Sequence, residues 1–359
     1  MHLAAVPPTS PGRQHSLCRV EVAVRLRPLG AGGRGCVAAD EERGTVAVSR
    51  NGSTKRFQFD HVFGPTMSNG EVFAAIGRPL LTAALDGYNA TLFAYGQTGA
   101  GKTHTIMGPP GDGADPGVVI RLVRELFSRP RAAAAGVQFS MLEIYNEQIR
   151  DLFSIHPKPL RIREDPDTGP FVEGLSWYAA RNEAEMERLL AAGATARTVR
   201  PTHNNLHSSR AHTVIQIALI AAEPVTTACG GANTCGDGTV RRRVAAKLCL
   251  VDLAGSERND PVGHSHVAPT TFKEGTHINR SLSCLGQCIN ALVAADKRGN
   301  GSAAAASGHL VPRAGVYGGC SSSAHVPFRN GALTWLLRES IGGNSKVRPP
   351  PRRAARARN

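Results

Sequence analysis

Apolar and polar positions along the chain predict the strands of one sheet. Residues 19–26, RVEVAVRL, alternate between apolar and polar side chains, as a half-buried strand does. Uninterrupted short apolar runs predict buried strands instead, and these lie at 91–95, 137–144, 211–220 and 247–252. The last of these runs ends in an acid, Asp252.

Helical spacing of apolar residues fills the stretches between these strands. It covers 183–199, where Asn182 is placed to cap the first turn, and also 272–295 and 331–341. Strands that alternate with helices predict an α/β fold, with a mostly parallel central sheet sandwiched by helices. Two stretches poor in periodic pattern, 221–240 and 299–324, are interpreted as surface insertions.

The strand predicted at 91–95 leads into a phosphate-binding loop. The next eight residues match the pattern G-x-x-x-x-G-K-[ST], in which glycines let backbone N–H groups turn toward an oxyanion. Lys102 would supply charge to the β- and γ-phosphates, and the Thr103 hydroxyl would ligate Mg²⁺. The predicted nucleotide-binding residues of the loop are Gly96, Gln97, Thr98, Gly99, Ala100, Gly101, Lys102 and Thr103.

Asp252 is the second candidate group for the same site. A carboxylate at the end of a strand can orient the water shell of Mg²⁺, although many strands end in Asp for other reasons. Three residues later, Gly255 has a backbone N–H that could meet the γ-phosphate. Asp252 is therefore predicted as a metal-site residue because it accompanies the phosphate loop.

The net charge of the chain limits the kinds of partner that it can bind. The formal charge is +14, which indicates an acidic partner: nucleic acid, an anionic membrane or an acidic protein polymer. No apolar run is long enough to span a membrane, so membrane insertion is not expected. The eight cysteines are scattered, which is typical of free thiols in a reducing cytosol. Residues 1–18 are predicted to be a disordered extension and 346–359 a solvated basic tail.

Several motifs in a fixed order resemble the kinesin motor domain. They are FAYGQTGAGKTHT (93–105), LEIYNEQIRDLF (142–153), NLHSSRAH (205–212), LVDLAGSER (250–258), HINRSLSCLGQCINAL (277–292) and HVPFRNGALTWLL (325–337). The resemblance covers residues 19–345 and implies a P-loop NTPase fold, ATP with Mg²⁺ as ligands, microtubule-stimulated ATP hydrolysis, and a place in the cytoplasm on the cytoskeleton. Segments 160–175 and 333–345 are most similar to the class that moves vesicles along axons.

The resemblance also assigns two switch loops. Ser208, Ser209 and Arg210 match switch I, with Ser209 expected to reach Mg²⁺ and the γ-phosphate. Gly255 and Glu257 match switch II. Arg210 and Glu257 are expected to form the ion pair that closes the site behind the attacking water; the competing interpretation is a surface ion pair of about 0–1 kcal/mol.

Further residues are assigned to adenine and to tubulin by the same resemblance. Arg25 and Pro28 are expected to flank adenine, and His104 to stack near it, although an ordinary histidine at a helix start fits too. The helix 272–295 is expected to transmit the state of Gly255 to the track. The basic residues placed against tubulin are Lys273, Arg329, Arg161 and Arg163, each of which could instead be solvated charge.

The sequence departs from the family near its end. After Lys346 the family continues into a central strand, a last helix and a neck linker, whereas here Pro349, Pro350 and Pro351 follow and cannot donate to a sheet. We therefore expect a motor domain that is incomplete at its C-terminal end, with exposed ladder groups and no oligomerisation region.

Three functions stay open on the sequence. The first is an ATP-driven microtubule motor. The second is a nucleotide-binding microtubule-associated protein that cannot walk. The third is a nucleic-acid-dependent P-loop NTPase, which the charge allows; the switch motifs argue against it, so nucleic acid is not the expected partner.

Overall fold

A computed structural model describes residues 2–6, 20–29, 36–109, 115–129, 136–155, 158–166, 169–199, 210–224, 240–257, 269–299 and 326–341. The strands are β1 (His2–Val6), β2 (Glu21–Arg25), β3 (Val37–Asp40), β4 (Thr45–Arg50), β5 (Ser53–Gln58), β6 (His61–Phe63), β7 (Ala90–Tyr95), β8 (Gly136–Tyr145), β9 (Gln148–Asp151), β10 (Arg161–Asp165), β11 (Gly169–Glu173), β12 (Tyr178–Ala180), β13 (His212–Pro224) and β14 (Val240–Asp252). The helices are α1 (Asn69–Val72), α2 (Arg78–Leu85), α3 (Lys102–Ile106), α4 (Val118–Ser128), α5 (Glu183–Val199), α6 (Pro269–Gly299), α7 (Ala332–Leu336) and α8 (Arg338–Ile341), with a π turn at Phe73–Gly77 and a 3-10 turn at Phe328–Asn330.

The central sheet has the strand order β12-β8-β13-β14-β7-β1-β2-β6, and β9 pairs with β8. Only β14 with β7 and β2 with β6 run parallel among the pairs of the described strands. The prediction of a mostly parallel sheet is therefore wrong. Neighbouring strands here include long antiparallel pairs such as β13 with β14, which need no helical crossover between them.

Both faces of the central sheet are buried, which confirms the α/β sandwich. Leu92 and Ala94 pack on the face covered by α1, α2, α4 and α5, whereas Phe93 between them packs on the face covered by α6, α7 and α8. Because side chains alternate along a strand, a strand covered on both faces favours apolar side chains at nearly every position. This explains the uninterrupted apolar run at 91–95.

The N-terminal strand β1 lies inside the sheet, between β2 and β7. Its backbone pairs His2 with both Val24 and Tyr95, and it is antiparallel to both neighbours. The prediction of a disordered segment at 1–18 is wrong for residues 2–6, which form a strand paired with β2 and β7. Two unpaired strand edges provide a ready template for a short apolar segment such as HLAAV.

Helix predictions met different outcomes. The helix α5 matches the predicted 183–199, and Asn182 accepts a hydrogen bond from the Glu185 N–H at 2.9 Å, as a cap does. The helix α6 extends the predicted 272–295 at both ends. The predicted helix 331–341 is instead two short helices, α7 and α8, that meet at Leu337.

Some sequence predictions cannot be compared with the fold. The predicted insertions, apart from their ends in β13, β14 and α6, and the tail 346–359 lie outside the described residues.

Beside the central sheet stand a three-stranded sheet β3-β4-β5 and the hairpin β10-β11. Within the described part of the chain, no helix combines the length and the apolar character that crossing a membrane requires.

Candidate nucleotide-binding site

The phosphate loop follows β7 directly and ends in α3, as its motif predicts. Three of its glycines have positive φ: 153° at Gly96, 78° at Gly99 and 92° at Gly101. At Gly101 the left-handed conformation falls on the residue that precedes the first turn of α3. A side chain there would be strained, so the motif's glycine is required by the turn itself.

Lys102 is folded into this loop. Its ammonium group donates to the carbonyl oxygens of Gly96 at 2.8 Å and Gln97 at 3.0 Å, and only 8% of the residue is exposed. Burial lowers the pKa of Lys102, while the carboxylates of Asp252 and Glu257 act in the opposite direction. A desolvated cation therefore stands at the position where the motif places the phosphates.

Asp252 meets the phosphate loop because β14 and β7 are parallel neighbours. Their register sets Asp252 beside Ala94, so the carboxyl ends of both strands lie at one edge. Its Oδ2 accepts from the Thr103 hydroxyl at 2.6 Å and from the Arg197 guanidinium at 3.1 Å. The side chains of Asp252 and Arg197 are 2% and 11% exposed.

The donor set at this corner fits Mg²⁺. The buried Oδ1 of Asp252 has no hydrogen-bond partner among the described residues, and the Thr103 hydroxyl lies against the same carboxylate. The described residues contain no cluster of three His, Cys, Asp or Glu side chains. Mg²⁺ usually takes one or two protein oxygens and completes its shell with water and phosphate, so Thr103 and Asp252 would suffice.

Switch II packs against the phosphate loop. Glu257 accepts from the Thr98 backbone N–H at 2.8 Å and from the Thr98 hydroxyl. Burial raises the pKa of Glu257, but the two hydrogen bonds from Thr98, a backbone hydrogen bond of Glu257 itself and the charge of Lys102 together outweigh it. The net pKa therefore lies below the ordinary value. A Cβ on Gly255 would lie 2.3 Å from both the Glu257 carboxylate and the Thr98 hydroxyl, so this contact requires glycine.

Switch I is only partly described. Ser208 and Ser209 lie outside the described residues, and Arg210 is half-buried just before β13. In this conformation the Glu257 carboxylate accepts hydrogen bonds from Thr98 of the phosphate loop. The ion pair between Arg210 and Glu257 therefore stays a prediction for a closed state.

A cavity of about 970 Å³ runs along the phosphate loop and reaches the residues predicted to flank adenine. Pro28 and His104 line it and are exposed. Arg25 also reaches it, but its guanidinium donates to Asn69 Oδ1 at 2.5 Å, to the Thr105 hydroxyl at 2.9 Å and to the Met67 carbonyl at 2.9 Å. Arg25 thus ties β2 to α3, which leaves Pro28 and His104 as the freer surfaces for a base.

Two arginines of this site were missed by the sequence analysis. Arg27 lines the cavity and donates to the Gly99 carbonyl, and Arg197 reaches Asp252 from α5. No local pattern marks Arg197, because the sequence around it indicates only a helix. The tertiary approach of α5 to the end of β14 gives it this position.

The predicted tubulin contacts fall on another part of the molecule. Arg161 and Arg163 are exposed on β10, where Arg163 pairs with Glu173 at 2.9 Å. Arg329 pairs with Glu164 of the same strand at 2.5 Å and lies over the Trp335 ring. Lys273 belongs to α6. Acidic partners thus already neutralise two of the predicted basic contacts.

Comparison with known proteins agrees with this geometry. Residues 13–348 match the family model described as the kinesin motor domain. The chain is 38% identical to the kinesin-like protein KIF18B of Mus musculus, over 83% of this chain and 32% of that protein. It is 35% identical to KIF16B of Mus musculus, over 92% of this chain and 25% of that protein, so it spans about a third or less of either relative.

A solved structure shares the fold over most of its length. This is a KIF14 dimer in a two-heads-bound state with AMP-PNP, in complex with a microtubule; its TM-score is 0.70 at 31% identity, and the match covers 92% of this chain and 87% of that one. The sequence motifs, the phosphate loop with its partner Asp252, and these matches agree. The chain belongs to the kinesin motor-domain family.

Proposed function

We propose that this chain is an ATP-hydrolysing microtubule motor domain, in which the state of the nucleotide controls binding to the microtubule and movement along it. The observation that carries the proposal is the meeting of Lys102, Thr103 and Asp252 at one edge of the sheet. That arrangement suits a nucleoside triphosphate with Mg²⁺. The family supplies ATP as the specific ligand and the microtubule as the track.

Phosphoryl transfer depends on positioning and charge stabilisation rather than on covalent chemistry by the protein. Lys102 would leave the carbonyls of Gly96 and Gln97 and turn its charge to the phosphates. The N–H groups of the phosphate loop and of Gly255 would hold the phosphate oxygens. Bound Mg²⁺ would neutralise charge on the β- and γ-phosphates, with Thr103, Asp252 and Ser209 as its protein-side groups.

Closure of the switches would complete the site. In the present conformation Glu257 is bonded to Thr98, so it must leave Thr98 before it can pair with Arg210. A γ-phosphate that attracts Gly255 and Ser209 would favour that exchange, and its release after hydrolysis would reverse it. Arg210 and Glu257 would thereby position the attacking water.

Microtubules are the proposed partner, through Lys273, Arg329, Arg161 and Arg163. Support comes from the net charge of +14 and from the fold shared with a KIF14 dimer whose structure contains a microtubule. Arg163 and Arg329 are paired with acids, which weakens their attraction to an acidic partner. The helix α6 and the other basic residues would therefore contribute more to microtubule binding. A microtubule partner implies that the protein acts on the cytoskeleton, in the cytoplasm.

Membership of the axonal vesicle-transport class is a finer proposal. It rests on the likeness of segments 160–175 and 333–345 alone. The identities to KIF18B and KIF16B are 38% and 35%, too close to favour one class. Cargo transport in cells depleted of the protein would test this class separately from its ATPase.

The Lys102→Ala variant tests the proposed activity. We expect microtubule-stimulated phosphate release to fall at least about 100-fold, because an electrostatic group aimed at the transferred phosphate is lost. Lys55→Ala, which removes an exposed lysine from β5, is the matched control and should retain normal turnover. Unchanged phosphate release from Lys102→Ala would reject this loop as the catalytic site.

A further inference from the structure

One buried histidine bonds three parts of the proposed motor. His212 begins β13, two residues after Arg210 of switch I, and is 2% exposed. Its Nδ1 accepts a hydrogen bond from the Ala254 backbone N–H at 3.0 Å. Its Nε2 lies 2.7 Å from the hydroxyl of Ser281 on α6, which is also 2% exposed.

These contacts define the state of the imidazole. A nitrogen that accepts a hydrogen bond carries no proton, so in the neutral ring the proton is on Nε2. Nε2–H therefore donates to the Ser281 hydroxyl, while Nδ1 holds the Ala254 N–H. A charged ring could not accept from Ala254, and burial lowers the pKa of His212 to about 4, which keeps the ring neutral.

We propose that His212 is a positioning residue that couples switch II to α6. Ala254 directly precedes Gly255, whose N–H is proposed to meet the γ-phosphate, and Ser281 is on the helix that carries Lys273. The inference rests on the proposed function and adds to it the side chain through which the two sites communicate.

The geometry makes this link sensitive to small movements. Hydrogen bonds at 2.7 and 3.0 Å are lost when donor and acceptor separate by about 1 Å. If Gly255 moves toward a γ-phosphate, Ala254 moves with it and the ring must follow or release its bond. Because the ring also holds Ser281, that displacement reaches α6 through one rigid side chain.

Three substitutions separate the two bonds of the ring. His212→Asn retains an acceptor near the Nδ1 position but cannot reach Ser281. His212→Gln extends an amide donor toward Ser281 but has no acceptor near Nδ1. Ser281→Ala removes only the hydroxyl, and Ser283→Ala, at an exposed position of the same helix, is the matched control.

The readout is the ratio of microtubule affinities with AMP-PNP and with ADP, measured by co-sedimentation and compared with the melting temperature. We expect His212→Asn and Ser281→Ala each to reduce this ratio at least about 5-fold, the lower range of coupling between sites. The double variant should be no worse than either single one. Ser283→Ala should keep the wild-type ratio.

Two results would overturn the inference while leaving the proposed function intact. One is a lower melting temperature in His212→Asn, His212→Gln and Ser281→Ala with an unchanged affinity ratio, which would mean that the histidine serves only packing. The other is additive losses in the double variant, which would mean that the two residues act separately. Wild-type protein without ATP hydrolysis or without any nucleotide-dependent ratio would instead reject the proposed function, and the inference with it.

Discussion

Two carboxylates of this molecule each hold two donors, yet they lie in opposite environments. Asp252 accepts from Thr103 and Arg197, and the side chains of Asp252 and Arg197 are 2% and 11% exposed. Glu164 accepts from Arg329 and Arg338, at 28% exposure for the acid and 68% for Arg329. The chemistry of the two clusters is alike, but their burial differs.

Burial decides what each cluster can do. Around Asp252 the charges are desolvated, so removal of one partner leaves the other as a buried charge with neither a partner nor water. Around Glu164 water and salt screen the attraction, so each pair adds little to stability. Hydrogen bonds from Arg338 and then Arg329 lower the pKa of Glu164, so this acid remains ionised at neutral pH. The buried cluster around Asp252 can therefore respond to a bound nucleotide, whereas the exposed cluster around Glu164 only changes the surface charge.

Arg197→Ala should give the largest effect on stability. It leaves the Asp252 carboxylate buried without its guanidinium, so we expect the free energy of unfolding in Mg²⁺-free buffer to fall by about 3–5 kcal/mol. Denaturant titration followed by circular dichroism measures it. Arg188→Ala, at an exposed position of the same helix, should stay within about 0.5 kcal/mol of wild type. If both variants lost the same free energy of unfolding, Arg197 would contribute no more to stability than an exposed arginine.

Ala4→Pro tests whether the buried cluster around Asp252 depends on β1. Proline removes a ladder N–H from a strand that is paired on both sides, so the free energy of unfolding should fall by about 1–3 kcal/mol. Because β1 flanks β7, the KM for ATP should rise as well. Ala4→Ser keeps the N–H and is the control. If Ala4→Pro were as stable as Ala4→Ser, β1 would not contribute to the sheet.

The stability of the wild type should fall between pH 6.5 and 5. The folded pKa of His212, about 4, lies below its unfolded value of about 6.5, so within this window only the unfolded state binds the proton. The contribution of neutral His212 to the free energy of unfolding is complete above pH 6.5 and decreases as the pH falls. At pH 5 it is smaller by about 2 kcal/mol. Unfolding curves of wild type and His212→Asn across this range measure it. The same slope in both proteins would contradict the assignment.

Glu164→Gln should give the smallest effect. The free energy of unfolding should fall by less than about 1 kcal/mol, since the pairs are exposed. Loss of the acid also frees Arg329, whereas Arg338 keeps its pair with Glu339 at 3.0 Å. Microtubule affinity at low salt should therefore rise about 2- to 5-fold and return to the wild-type value as salt screens the charge. Glu173→Gln, which frees Arg163, is the parallel variant for co-sedimentation. Unchanged affinity in both variants would remove this face from the contact.

The phosphate loop was predictable because its requirements are local. Glycines with positive φ, the lysine and the threonine lie within eight residues, and their backbone geometry follows from their own types. The helix α5 was equally local, with Asn182 as its cap. The directions of the strands were not predictable in this way, because strands that are far apart in sequence pair through contacts that no short segment specifies. For this reason the sheet is mostly antiparallel where a parallel one was predicted.

The sequence by itself determined the phosphate loop and the acid at the end of β14, since each lies in contiguous residues, and the family, since several such motifs occur in a fixed order. The tertiary structure decided that β1 fills the sheet, that Arg197 reaches Asp252, that Glu257 rests on Thr98 and that His212 bonds both Ala254 and Ser281. Each of these contacts joins segments distant in sequence. They form because burial selects, among all possible partners, those whose polar groups are satisfied once water is excluded.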